Sequence, residues 1–156
     1  MTIPFEISKK TVITEIKNCE INCKTFGWEI SDIDELSQTF TVKLTSAFDQ
    51  EIYILEFKFD DYPSIPYFIE FIDPVTNEKA TRHAYPKSTD SFFHPNLAIC
   101  HQCSRKSYTI LHTNDWSMEG WRKQAGDLTN LNAILNTIYI RISNKDLYGG
   151  RMDKKI

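Results

Sequence analysis

Between residues 8 and 23 the apolar side chains Val12, Ile16, Cys19 and Cys23 recur three and four positions apart, while Lys9, Lys10, Glu15 and Lys17 fall elsewhere. That spacing predicts one amphipathic helix over 8–23 that packs by a single stripe. The period then changes to two. Strand-like segments begin at Trp28 (WEISDID), at Thr39 (TFTVKLTS, with Phe40, Val42 and Leu44 alternating) and at Glu51 (EIYILEFKF). The polar segments DELSQ and AFDQ separate them, and connections that short join antiparallel neighbours, whereas parallel strands need a long crossover. DDYPSIPYFIEFIDP then places two prolines ahead of a fourth apolar strand at 67–72, closed by Asp73-Pro74.

From residue 75 to 126 neither period persists, and the segment is rich in His, Pro, Cys, Asn and Trp. Long irregular segments inside folded domains tend to carry function, and the aromatic content here favours order, so the chemistry is expected there. Helical spacing returns in GDLTNLNAILNTIYIRIS, where Leu128, Leu131, Leu135, Ile138 and Ile142 share a face and Asp127 or Thr129 can cap the start. The remaining NKDLYGGRMDKKI reads as a tail, with Gly149-Gly150 a flexible turn. The pattern predicts a single α+β domain over 1–156: helix, four-stranded antiparallel meander, irregular active region, helix.

Composition narrows the partners. A hydrophobic fraction of 41% and an aromatic fraction of 13% exclude a disordered chain. The net charge of -3, with Lys and Arg scattered among Asp and Glu, removes the field that recruits nucleic acid, so no DNA or RNA partner is expected. MTIPFEISKK lacks a basic region followed by an apolar run, and no apolar stretch approaches the length of a membrane span, so a cytoplasmic protein without a membrane partner is expected. Four cysteines in such a chain favour thiol, metal or redox chemistry over a disulfide framework.

The stretch FFHPNLAICHQCSRKS sets His94-Pro95-Asn96 shortly before Cys100 and Cys103, leaving open a metal site, a redox pair or a nucleophile with a neighbour. A thioester-forming nucleophile needs one accessible thiol, and His101, Arg105, Lys106 and His112 would favour its thiolate if they lie close in space. The Asn96 amide suits the oxyanion of acyl transfer, while the tripeptide, His94 above all, can equally hold the loop by local hydrogen bonds. The Cys-x-x-Cys spacing also allows a reversible Cys100–Cys103 disulfide that switches the enzyme off. Cys19 and Cys23 read as small buried apolar residues; the sharper alternative joins them to Cys100 and Cys103 in a four-thiolate zinc site. Trp116 and Trp121 are expected to pack the irregular segment onto the second helix, and His83 to sit in a surface loop.

That order of elements and motifs resembles the ubiquitin-conjugating (E2) enzyme family over nearly the whole chain. In that family an aspartate or similar residue precedes Tyr-Pro-x-x-Pro-Pro, followed by a strand, His-Pro-Asn, an apolar residue beside the catalytic cysteine, and a tryptophan ahead of a buried helix. The corresponding residues here are Asp61, Tyr62, Pro63 and Pro66; His94, Pro95 and Asn96; Ile99 and Cys100; and Trp116-Ser117. Tyr67 stands where the family has its second proline, and Cys103 fits the family's interval from the asparagine better than Cys100 does. The two C-terminal helices of eukaryotic members have no counterpart, and minimal E2-like cores of this kind resemble those of bacterial antiphage operons of the short type II CBASS and Bil types. The resemblance implies a catalytic set of Cys100, Asn96 and His94, with Cys103 a second thiol, and no cofactor. Cys100 would carry the C-terminal tail of a ubiquitin-like protein or of a cyclic-nucleotide synthase as a thioester and pass it to an amine. An E1-like activating enzyme would be a separate polypeptide, since the sequence has no adenylate-binding glycine-rich segment. The alternatives are a catalytically silent binding module of the same fold and a zinc-binding protein.

Overall fold

The computed structural model describes residues 2–153. The helix predicted over 8–23 is two helices, α1 (Phe5–Lys17) and α2 (Glu20–Phe26). The break falls at Asn18, a residue whose side chain competes with helical hydrogen bonding. Beyond it the Cys19 N–H turns to the Ile16 carbonyl, only three residues back, at 3.0 Å. That tightened turn redirects the chain. Gly27 closes α2 in the left-handed conformation (φ 74°), its N–H on the Cys23 carbonyl.

The meander forms as predicted: β1 (Glu29–Ile30), β2 (Thr39–Thr45), β3 (Ile52–Lys58) and β4 (Phe68–Ile72) lie in sequence order, each antiparallel to the next. β1 is cut to two residues because the Ser31 hydroxyl, in place of a ladder carbonyl, accepts the Thr41 N–H at 2.8 Å. In β2 and β3 the register sets Phe40 opposite Phe57, Val42 opposite Leu55 and Leu44 opposite Tyr53. All six are buried, so strict alternation sends one whole face of the sheet into the core.

Three short strands, β5 (Pro86–Ser88), β6 (Phe93–His94) and β7 (Ala98–Ile99), and the one-turn helix α3 (Trp121–Gln124) punctuate the segment that shows no period in sequence. Helix α4 (Leu131–Ser143) then contributes Leu131, Ile134, Leu135, Ile138 and Ile142 to the buried core. Each such side chain gives about 1.5–3 kcal/mol when fully buried. The helix begins later than predicted: its cap is Asn130, whose Oδ1 accepts the Ala133 N–H at 3.0 Å, and neither Asp127 nor Thr129 serves. A second orphan donor, the Leu131 N–H, bonds the Glu15 carboxylate at 2.8 Å. Glu15 also accepts the hydroxyls of Tyr62 and Tyr67, so this residue of the polar side of α1 is an internal junction between α1, the approach to β4 and α4.

The described part of the predicted tail contains a strand, and residues 154–156 of that tail lie outside the described residues. β8 (Tyr148–Arg151) pairs antiparallel with β5, and Tyr148 and Met152 are buried. Gly149 is part of that pairing: a Cβ there would stand 3.3 Å from the Lys87 Cβ, so the glycine permits close approach of the two strands and is no flexible turn. The architecture is α+β, a four-stranded antiparallel sheet with helices. Among the described residues no helix is long and apolar enough to cross a membrane, and none follows α4.

Candidate active site

The irregular segment is built around a small hairpin in which β6 pairs with β7. Its loop is Pro95-Asn96-Leu97: proline sets φ for the first turn position, and Leu97 closes the turn in the left-handed region (φ 64°), its N–H on the His94 carbonyl at 2.9 Å. The His94 Nδ1 accepts the Asn96 backbone N–H at 3.0 Å. His94 therefore does shape the loop, and the same bond fixes its tautomer: with Nδ1 an acceptor, the proton sits on Nε2. Asn96 is exposed, and both side chains line a cleft of about 360 Å³ together with Cys100.

Cys100 leaves the end of β7 with its N–H on the Phe92 carbonyl at 2.7 Å. The next N–H, that of His101, is held by the Ile99 carbonyl at 3.0 Å and the Ser107 hydroxyl at 3.1 Å. Both of these backbone donors are thus engaged; Ser91, Asn96 and His94, with its Nε2–H, are the side chains of the cleft lining that can donate to an oxyanion formed at Cys100.

Two of the cations expected beside the thiol face elsewhere. The Arg105 guanidinium is tied to Asp60 Oδ1 at 2.8 Å and to the carbonyls of Asp60 and Pro66. Lys106 is buried against Glu70, which also accepts the Tyr85 hydroxyl at 2.7 Å. These pairs anchor the loop to the β3–β4 connection and to β4. Their charge is already matched, so they do not serve the thiolate. His101 accepts the Cys103 N–H through Nδ1 at 3.0 Å, and burial, with the Arg141 charge behind it, holds its pKa below 6.5 and the ring neutral.

The partner that does reach Cys100 is His112. Residues Ser107–Leu111 form a π-helical turn, and the His112 N–H bonds the Ser107 carbonyl five residues back at 2.9 Å. Wide turns of this kind shift the register of the chain beyond them and recur at functional sites. Here the turn brings Ile110, Leu111 and His112 onto the cleft wall. His112 Nε2 lies 3.7 Å from Cys100 Sγ, and Nδ1 lies 3.1 Å from Asp115 Oδ2. An ionised Asp115 can only accept, so in the neutral ring Nδ1 carries the proton and the Nε2 lone pair faces the thiol, the tautomer a general base requires. The imidazole stacks on Trp116 at 3.7 Å with ring planes 7° apart. Burial pushes the Cys100 thiol above its ordinary value of 9.0, so the sulfur rests protonated and needs that base.

The remaining flagged residues sort themselves by position. Cys103 is 1% exposed, its thiol pushed up to about 12 by burial, and it is absent from the cleft lining; as a second nucleophile or an accessible half of a disulfide it is corrected to a packing residue. Cys19 is buried with its thiol on the Glu15 carbonyl, and Cys23 is half-buried. Among the described residues no three His, Cys, Asp or Glu side chains are grouped to hold a metal ion, so the four-thiolate site is not assembled. Trp121 packs on Tyr62 and donates Nε1–H to the Pro63 carbonyl at 2.9 Å, and Trp116 braces His112. His83 is exposed on a short 3-10 turn, Arg82–Ala84.

Sequence alone ranks His112 with the other loop cations and does not single out Asp115. The local signal is there in His112-Thr-Asn-Asp115-Trp116, a histidine with an acid and an aromatic three and four positions on. What the geometry can do is nucleophilic acyl substitution: a thiol, a base aimed at it, an orienting carboxylate and side-chain donors around one open cleft. A scan against protein-family models finds no match to the sequence, and a search of curated proteins finds no significant relative.

Proposed function

We propose that the protein is a cysteine acyl-transfer enzyme of the ubiquitin-conjugating type, which takes the C-terminal acyl group of a partner protein as a thioester on Cys100 and passes it to an amine. The observation that carries the reading is the Cys100–His112 contact, backed by Asp115. His112 removes the thiol proton as sulfur attacks the activated carbonyl; the S–C bond forms and the activating group departs. In the second step an amine attacks the thioester, loses its proton to His112, and the thiolate leaves and is reprotonated. Asn96 and His94 stabilise the oxyanion of each step, the role left vacant by the engaged backbone donors.

The order helix, four-stranded meander, His-Pro-Asn hairpin, cysteine loop and late helix supports the conjugating-enzyme resemblance. The small volume of the open cleft, about 360 Å³, supports a macromolecular cargo whose end alone enters, and the CBASS- or Bil-type reading names its two candidates: a ubiquitin-like protein or a cyclic-nucleotide synthase. In a silent binding module the base beside the thiol would have no work. The test is incubation with ATP and the products of the neighbouring genes. A reductant-sensitive adduct that is lost in Cys100→Ala, and replaced in Cys100→Ser by a more stable oxyester, is expected; no adduct with any neighbour would remove the reading.

A further inference from the structure

We infer that the Cys100 thioester has a second exit, to water, and that the protein is also a hydrolase of C-terminal thioester and ester linkages. The inference rests on the acyl-carrier reading of Cys100 and extends it. A carrier that hands its cargo only to an amine must keep water from the base that deprotonates the amine. Here an imidazole of fixed tautomer sits 3.7 Å from the sulfur, locked on one side by Asp115 and on a face by Trp116. This is the constellation by which nucleophile, base and orienting acid hydrolyse acyl linkages in unrelated folds.

Once Cys100 is acylated the thiol proton has left with the departing thiol or alcohol, and His112 Nε2 is again a lone pair facing the cleft. The cleft is open, lined by Ser91, His94 and Asn96 together with Ile110 and Leu111, with Ile110 44% exposed. Water reaches such a site. It attacks the thioester carbonyl while His112 takes its proton; the C–S bond breaks, the carboxylic acid is released and the imidazolium returns a proton to the Cys100 thiolate. Atoms balance with water alone, with no oxidant or second reactant. At about 360 Å³ the cleft has room for a short acyl segment, so short C-terminal segments are the substrates expected. Whether amine or water wins is then a matter of occupancy: an acceptor amine docked in the cleft displaces the water.

The test uses the full chain and the benzyl thioester of N-acetylglycine, followed by intact mass and by release of the free thiol. Wild type is expected to turn over many equivalents and release N-acetylglycine. Cys100→Ala should release none above background. His112→Ala should slow turnover by about 10²- to 10⁴-fold, the range for loss of a general base, with recovery on adding imidazole, which a merely structural residue would not show. Asp115 acts through His112 as a positioning residue, so Asp115→Asn should slow turnover and Asp115→Glu restore part of it. Unchanged melting of each variant keeps folding out of the comparison. A wild-type acyl-enzyme that forms stoichiometrically on Cys100 and then persists would overturn the hydrolytic exit while leaving the carrier reading intact. Failure of wild type to acylate Cys100 at all would take both.

Discussion

The imidazole of His112 lies flat on the indole of Trp116, centroids 3.7 Å apart, while Trp116 returns its backbone N–H to the His112 carbonyl at 3.1 Å. The loop 112–116 is closed by its own two ends, and the ring that faces Cys100 is held from behind. Trp116 also meets Tyr108 edge-on at 5.5 Å, which ties this brace to the π-helical turn.

Trp116→Ala should therefore damage the site more than the fold. Trp116 is only half-buried, so a stability loss of about 1–2 kcal/mol is expected, within the range of single substitutions. Loss of the brace should lower the rate of Cys100 acylation by roughly 10-fold or more, since small misplacement of a catalytic group is costly. Trp116→Phe, which keeps a stacking face, should recover most of that. Stopped-flow acylation alongside thermal melts checks the split.

The cysteines should label in a fixed order. Cys103 and Cys19 are buried, each thiol pushed up to about 12, and they should resist iodoacetamide in the native state. Cys100 and the half-buried Cys23 should react. The sign of the pH dependence comes from the raised Cys100 value: the unreactive thiol form persists through pH 9.0, so labelling of Cys100 rises with pH across and beyond that point. Peptide mapping of labelled protein at several pH values reads this directly, and prompt native labelling of Cys103 would contradict it.

Asn96→Ala and His94→Ala should separate the two oxyanion donors. Each should slow acyl transfer, by roughly 10²-fold if it supplies a full donor. His94→Ala should also loosen the hairpin, because the Asn96 N–H loses its acceptor; a drop of about 1 kcal/mol is expected there and little in Asn96→Ala. Rates and melting temperatures of the two variants, measured together, test the division of labour.

Glu15 joins α1 to the start of α4. Glu15→Ala strands the hydroxyls of Tyr62 and Tyr67 and the Leu131 N–H, and should cost about 2–4 kcal/mol in denaturant unfolding. Burial, opposed by the hydrogen bonds from Tyr62, Leu131 and Tyr67, raises the Glu15 pKa above 4.5. A carboxyl raised on folding contributes stability that is full below the unfolded value and is lost as pH rises through the folded one. The advantage of wild type over Glu15→Gln should accordingly shrink from pH 4 to pH 8, and growth of that advantage would contradict the assignment.

The meander is legible in the sequence because β2 and β3 alternate without a break and every residue of their apolar face is buried. The second buried helix is legible for the same reason, while its start is not: Leu128 carries the helical period but lies ahead of the Asn130 cap. Gly149 and Gly150 conceal β8, since glycine has no side chain to show a period of two and its reason for being there, the approach to Lys87, comes from a strand about sixty residues earlier. Within the site, Cys100, Asn96 and His94 stand out in the sequence by their motif. The charges of Arg105 and Lys106 read there as support for the thiol, and only the fold shows Asp60 and Glu70 claiming them. His112 and Asp115 depend on a π-helical turn that periodicity does not announce.

The central claim, that Cys100 accepts an acyl group with His112 as its base, is tested most directly by single-turnover acylation with a small thioester, the adduct mapped cysteine by cysteine. The expected result is one adduct, on Cys100, removed by hydroxylamine and forming at least about 10²-fold more slowly in His112→Ala at neutral pH. An adduct on Cys23 or Cys103, or an equal rate on Cys100 without His112, would contradict it.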